Sequence, residues 1–183
     1  MPAHTIKQRT RFFVAVEGES EQSFIKWLQI LSAEVNLHIH LDSVVLGGGG
    51  YKTMLQSAVA MHKRRCRTTG KYRDCFLVVD TDRAGQGDWS VDKLRQEAAE
   101  HRLTVFAQNP NHEGLLLRMI PGMERQNPDA TSTATKLKNH WPTYLKPANA
   151  NALQRQFSLE ALLRASVADS DLAKFLKKIG FIG

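Results

Sequence analysis

The stretch Cys75-Phe76-Leu77-Val78-Val79-Asp80-Thr81-Asp82 decides how this 183-residue chain folds. Five apolar residues closed abruptly by an acid read as a short strand. On its carboxyl side, Asp82–Ser90 is a polar, glycine-containing loop, Val91–Arg102 a helix and Leu103–Ala107 a further strand. Asn111–Ile120 then reads as a helix stopped by Pro121-Gly122. On its amino side, a helix from about Tyr51 to Cys66 carries Met54, Leu55, Ala58, Val59 and Met61. Gly47–Gly50 separates that helix from a strand within Leu37–Leu46. Phe24, Trp27, Leu28, Leu31 and Val35 recur at the period of an amphipathic helix, and Arg11–Val16 is the first strand. Strand and helix alternate four times, which predicts an α/β fold with a mainly parallel four-stranded sheet flanked by helices.

Beyond residue 122 the pattern changes. Met123–Ala134 reads as a loop, and Pro142 and Pro147 punctuate the chain after it. Ser158 can cap a helix bearing Leu159, Leu162 and Leu163, and Asp169 or Ser170 another bearing Leu172, Phe175, Leu176 and Ile179. Residues 1–122 therefore read as the α/β domain and 123–183 as a small helical appendage packed on it.

Hydrophobic residues make up 42% and charged residues 23%, which excludes a disordered chain. Aliphatic stretches such as Phe76–Val79 and Leu115–Leu117 fall far short of the roughly 20 residues a membrane span needs. The basic segment Met1–Arg11 lacks a signal peptide's apolar region. Cys66 and Cys75 alone make neither a disulfide framework nor a zinc site, so a cytoplasmic location with reduced thiols is expected. Lys and Arg number 25 against 18 Asp and Glu, a net +7 that favours nucleic acid as a partner.

Three acidic features fall at predicted strand ends, the edge where open α/β sheets bind ligands. They are Glu17-Gly18-Glu19-Ser20-Glu21, Asp80-Thr81-Asp82 and Asn109-Pro110-Asn111-His112-Glu113. In an extended chain residues i and i+2 project to one side, so Asp80 and Asp82 can converge on a hard cation. Mg²⁺ takes one or two protein carboxylates and leaves open positions for substrate phosphates. Glu17 could hold the metal or move a proton. Any one of these acids could equally be a cap or turn residue, and Glu19 and Glu21 suit the positive end of the next helix.

A strand ending in Glu-Gly and a later strand ending in Asp-x-Asp resemble the signature of the Toprim domain, here Val14-Ala15-Val16-Glu17-Gly18 and Leu77-Val78-Val79-Asp80-Thr81-Asp82. Gln108-Asn109-Pro110-Asn111-His112-Glu113-Gly114-Leu115-Leu116-Leu117 looks like the Ser-Asn-Pro-Cys-Phe-Glu-x-Trp-Leu-Leu motif of RloB-like proteins, a Toprim-related family of prokaryotic defence islands. Glu17-Gly18-Glu19-Ser20-Glu21 resembles that family's Glu-Gly-x-Thr-Glu. The likeness covers roughly residues 11 to 120. Ser20 replaces a Thr, Asn111-His112 replaces Cys-Phe, and the usual Trp is missing near Gly114-Leu115. The resemblance implies Asp80 and Asp82 as ligands of Mg²⁺ or Mn²⁺, Glu17 as ligand or general acid/base, and Glu113 as a further ligand or orienting carboxylate. It also implies metal-dependent phosphodiester cleavage and a partner ATPase.

Other features add candidates. Gly47–Gly50 before Tyr51-Lys52-Thr53 is similar to a phosphate-binding loop, but Tyr51 stands where glycine must precede the lysine, so a nucleotide hydrolase is not expected. The run could still cradle a phosphate with Lys52 as counter-charge, or be a plain turn. Lys63, Arg64, Arg65, Arg67, Lys71 and Arg73 suit phosphate-backbone contact, or a solvated helix end. His112 reads either as a catalytic group or as a local hydrogen-bonding one. Trp141, Tyr144 and Lys146 could stack on a base or pack tail against sheet. The expectation is an endonuclease acting on DNA or RNA. Its alternative is a non-catalytic nucleic-acid-binding or ATPase-partner subunit with a degenerate site. A topoisomerase- or primase-like activity ranks third, because no nucleophilic tyrosine is placed.

Overall fold

The computed structural model of the chain describes residues 8–82 and 89–183. Four strands form one sheet: Thr10–Val16 (β1), Ile39–Val45 (β2), Asp74–Asp80 (β3) and Leu103–Gln108 (β4). Every neighbouring pair is parallel and the order is β2-β1-β3-β4. The α/β fold expected from the alternation is therefore present, and the sheet is wholly parallel. The expected loop over Asp82–Ser90 falls largely on residues 83–88, outside the described residues, as does most of the basic amino-terminal segment.

Strands β1, β3 and β4 bury both faces, because side chains alternate across the sheet and helices cover each side, while the edge strand β2 leaves His40 exposed. Phe12, Val14, Val16, Phe76, Val78 and Phe106 point one way, against Phe24, Trp27 and Leu28 of Glu19–Glu34 (α1). Phe13, Ala15, Leu77, Val79 and Val105 point the other way, against Met54, Leu55 and Ala58 of Tyr51–Thr69 (α2) and Leu94 and Ala98 of Val91–Glu100 (α3). Val35, expected on the buried stripe of α1, lies past its end and is 44% exposed.

His112–Arg118 (α4) follows β4 and is buried along its whole length. Gly114 is required there: a Cβ would sit 2.8 Å from Pro110 Cδ and 3.0 Å from the Asn109 carbonyl oxygen. The remaining chain forms Ala130–His140 (α5), Ala150–Gln156 (α6), Leu159–Ala168 (α7) and Ser170–Ile179 (α8). Side chains from these helices share one continuous core with α1 and the sheet. Phe175 of α8 stacks on Phe106 at 5.0 Å and meets Phe76 edge-on at 4.8 Å. No helix among the described residues is long and apolar enough to cross a membrane.

Candidate active site

The strand order fixes where a site can form. The chain leaves β1 on the α1 face for β2 at one side, then crosses to β3 at the other side and continues to α3 on the opposite face. The carboxyl ends of β1 and β3 are thus the switch point, and the helices diverging from them leave a crevice. An open cleft of about 510 Å³ lies there, lined among others by Glu17, Glu21, Gly47, Gly48, Asp80 and Lys146.

Asp80 ends β3 at the heart of this cleft. Its backbone N–H donates to Glu17 Oε2 at 3.4 Å, which joins the two strand-end acids, and its carbonyl accepts the Tyr51 hydroxyl at 2.8 Å. Its side-chain Oδ1 is buried and has no hydrogen-bond partner among the described residues. Burial, then the charges of Glu21, Glu17, Asp82 and Glu113, push its carboxyl up to about 9. An oxygen in that state is costly unless something cationic reaches it.

The other predicted acids are held differently. β3 stops at Asp80, so Thr81 and Asp82 are no longer extended and the same-face argument for Asp80 and Asp82 does not apply. The Asp82 N–H donates to the Pro110 carbonyl at 2.8 Å, and its Oδ2 accepts Asn111 Nδ2–H at 3.3 Å. Glu113 is 2% exposed; Tyr144 OH donates to its Oε1 at 3.0 Å and Lys146 Nζ lies at 2.8 Å. Burial alone would raise the Glu113 carboxyl, but the Lys146 ammonium outweighs it and holds the group below its ordinary value. Glu21 accepts the Gly18 N–H at 2.9 Å, a helix-capping role.

His112 is 2% exposed, so its ring is closed off from the cleft. Its Nδ1–H donates to Gln108 Oε1 at 3.3 Å, its ring meets Phe24 edge-on, and burial lowers its pKa, keeping the imidazole neutral. The hydrogen-bonding role is therefore the one that the geometry fits, and the catalytic role is not. Tyr144, 2% exposed, does not stack on a base. The aromatic-basic group signals it and Lys146 in the sequence, and the acidic strand end signals Glu113, but nothing there signals that the three are paired, because the pairing is tertiary.

The glycine run carries φ of +82° at Gly47, +77° at Gly48 and +111° at Gly49, values that only glycine takes without strain. The Gly48 N–H donates to the Glu17 carbonyl at 3.2 Å, so that amide is not open to a phosphate. Tyr51, buried at 5% exposure, wedges the first turn of α2 against β3. Lys52 is exposed beside it.

The basic cluster is displaced from this cleft. α2 starts at the carboxyl edge and ends at the amino edge, where Arg11 donates to Thr69. At 1.5 Å per residue, Lys63 to Arg67 lie about 18–24 Å along the helix from Tyr51. Arg65 pairs with Asp42 at 3.8 Å and Arg73 with Asp74 at 3.9 Å. Lys63, Arg64, Arg67 and Lys71 are exposed. These cations do not share a phosphate with Asp80.

No group of three or more His, Cys, Asp or Glu among the described residues is placed to hold a metal unaided. Mg²⁺ does not need one, since one or two carboxylates with water and substrate phosphates suffice. The orphaned Asp80 oxygen beside Glu17 fits such a hard cation.

No family model matches the chain and no curated protein matches it. Among solved structures it is similar to the C-terminal region of the OLD protein of Xanthomonas campestris pv. campestris, at a TM-score of 0.37 and 13% identity, over 92% of this chain and 79% of that one. A likeness that faint transfers no residue roles.

Proposed function

We propose that the chain is a divalent-cation-dependent endonuclease of DNA or RNA, resembling the RloB-like effectors of prokaryotic defence and acting with a partner ATPase. The observation that carries this reading is Asp80: a buried oxygen without a partner among the described residues, in a carboxylate cluster, at the switch point of a parallel sheet. Asp80 and Glu17 would hold Mg²⁺ or Mn²⁺, with Asp82 as the next candidate once released from Asn111. Bound there, the cation would supply an activated water and offset the charge of a scissile phosphate.

The chain's own residues prepare that position. Lys146 lines the cleft and pairs its ammonium with Glu113 at 2.8 Å, so that carboxylate is already balanced and leaves Asp80 and Glu17 as the acids for a cation. His112, Gln108 and Glu21 form the buried floor that supports α1 and α4 on either side. Gly47 and Gly48 leave one wall without side chains, which lets a nucleic-acid backbone approach.

With Mg²⁺ or Mn²⁺, plasmid, phage DNA or tRNA should be cut, and Asp80→Ala or Glu17→Ala should abolish product while the far-ultraviolet circular dichroism stays unchanged. Cleavage at the wild-type rate by both variants would refute the assignment. A second reading, a binding subunit without catalysis, draws on Glu113, which Lys146 and Tyr144 already satisfy. It requires salt-sensitive binding in EDTA and no product with any divalent cation.

A further inference from the structure

The outward face of α2 joins the two charged ends of the molecule. With 100° per residue, Lys52, Gln56, Lys63 and Arg67 fall within a stripe about 60° wide, with Ala60 and Arg64 on its flank. All six are exposed. Lys52 begins the stripe at the carboxyl edge of the sheet, four residues after the cleft-lining Gly48, and Arg67 ends it at the amino edge, 15 residues or about 22 Å away. Lys52, Lys63, Arg64 and Arg67 have no carboxylate within ion-pair distance among the described residues, unlike Arg65, which Asp42 holds.

We propose that this stripe is a track for a nucleic-acid duplex, which runs from the carboxyl edge of the sheet, where the cleft opens, to the cationic end of α2. The inference rests on the nuclease reading for its substrate class and deepens it to double-stranded substrates. At 3.4 Å per base pair, 22 Å corresponds to about seven base pairs. Two features select a duplex over a single strand. The stripe carries no aromatic side chain, whereas single strands are held by stacking bases on aromatic rings. Its cations sit at the two ends, with uncharged Gln56 and Ala60 between. A rod that stays straight over about 150 base pairs can use two contacts so separated.

The test uses fluorescein-labelled DNA and RNA duplexes of 4 to 16 base pairs, and matching single strands, by fluorescence anisotropy in Ca²⁺ and in EDTA. The protein is wild type or the triple variant Lys63→Gln, Arg64→Gln, Arg67→Gln, all at surface positions. In Ca²⁺, wild-type affinity should step up once a duplex exceeds about seven base pairs. The step should vanish in the variant and be missing for single strands. In EDTA, the slope of log K against log salt on the 16-base-pair duplex should fall by about 2–3 in the variant, at roughly 0.9 per phosphate lost. A step with DNA, RNA or both supports the track and says which backbone it carries. A smooth length dependence, a step retained by the variant, or an unchanged slope overturns it. Product formation in Mg²⁺ is scored separately: the step without product leaves the track standing and removes the nuclease reading.

Discussion

Strand β3 begins and ends with aspartate, and the molecule treats the two in opposite ways. Asp74, at the amino edge, is met by Lys178 at 3.2 Å and Arg73 at 3.9 Å. Asp42, two strands away on β2 and level with Cys75, receives the Tyr72 hydroxyl, Arg11 and Arg65. Asp80, six residues further along the same strand, has a buried oxygen with no partner among the described residues and four more acids around it. The fold can supply a cation to an aspartate where it needs one, so the contrast at Asp80 is a property of that edge. Charge that is merely structural is balanced locally. A buried carboxyl left without a partner in a cleft stays protonated until a cation favours its charged form, which makes it available to such a ligand.

The comparison can be broken most forcefully through pH. Burial, then the surrounding acids, push the Asp80 carboxyl up to about 9 from the 3.8 of an ordinary aspartate. Its folded-state pKa is raised, so the contribution of this one group to stability is fully present below about pH 4 and is lost as pH rises through 9. Asp80→Asn removes that decline. Its melting temperature should exceed that of wild type at pH 8 by an amount that shrinks towards pH 4; a constant difference would show that Asp80 is already compensated.

Glu113 gives the next largest effect. Lys146→Met leaves a carboxylate that is 2% exposed without its cation. Such a loss costs about 1–3 kcal/mol, with Tyr144 still donating. The Glu113 carboxyl is held low in the native chain, so this contribution is present at neutral pH and lost as pH falls through the carboxylate range. Denaturant midpoints should therefore differ at pH 7 and converge in acid. Asp74→Asn is the smallest change, within about 1 kcal/mol for a surface pair, read as a denaturant midpoint close to that of wild type.

Legibility in the sequence follows the same division. β1 and β3 are visible because strands buried on both faces are written as unbroken apolar runs, and their terminal acids, Glu17 and Asp80, stand out against them. α5 and α6 are hidden: Ala130–His140 buries only Thr133 and Leu137 and Ala150–Gln156 only Leu153, so neither shows an apolar stripe. Their caps, Asp129 and Asn149, accept backbone N–H groups and are the one available signal. The extended-strand argument for pairing Asp80 with Asp82 does not hold, because the strand ends at Asp80 and the Pro110 carbonyl captures both the Thr81 and Asp82 amides. The contacts of Lys146 and Tyr144 are beyond reach for another reason: Tyr144 lies 31 residues from Glu113, and only tertiary packing unites them. The net charge of +7 foretells a cationic surface but not that it lies a helix-length from the acids.

The most direct measurement is the melting temperature of wild type and Asp80→Asn across a Mg²⁺ titration at pH 8. If Asp80 awaits a cation, wild type should start lower and rise with Mg²⁺. At a hundredfold excess over Kd the gain is about 2.7 kcal/mol, or roughly 5–10 °C at 2–4 °C per kcal/mol. Asp80→Asn should start higher and barely respond. Equal rises in the two proteins, or none in wild type, would contradict the account.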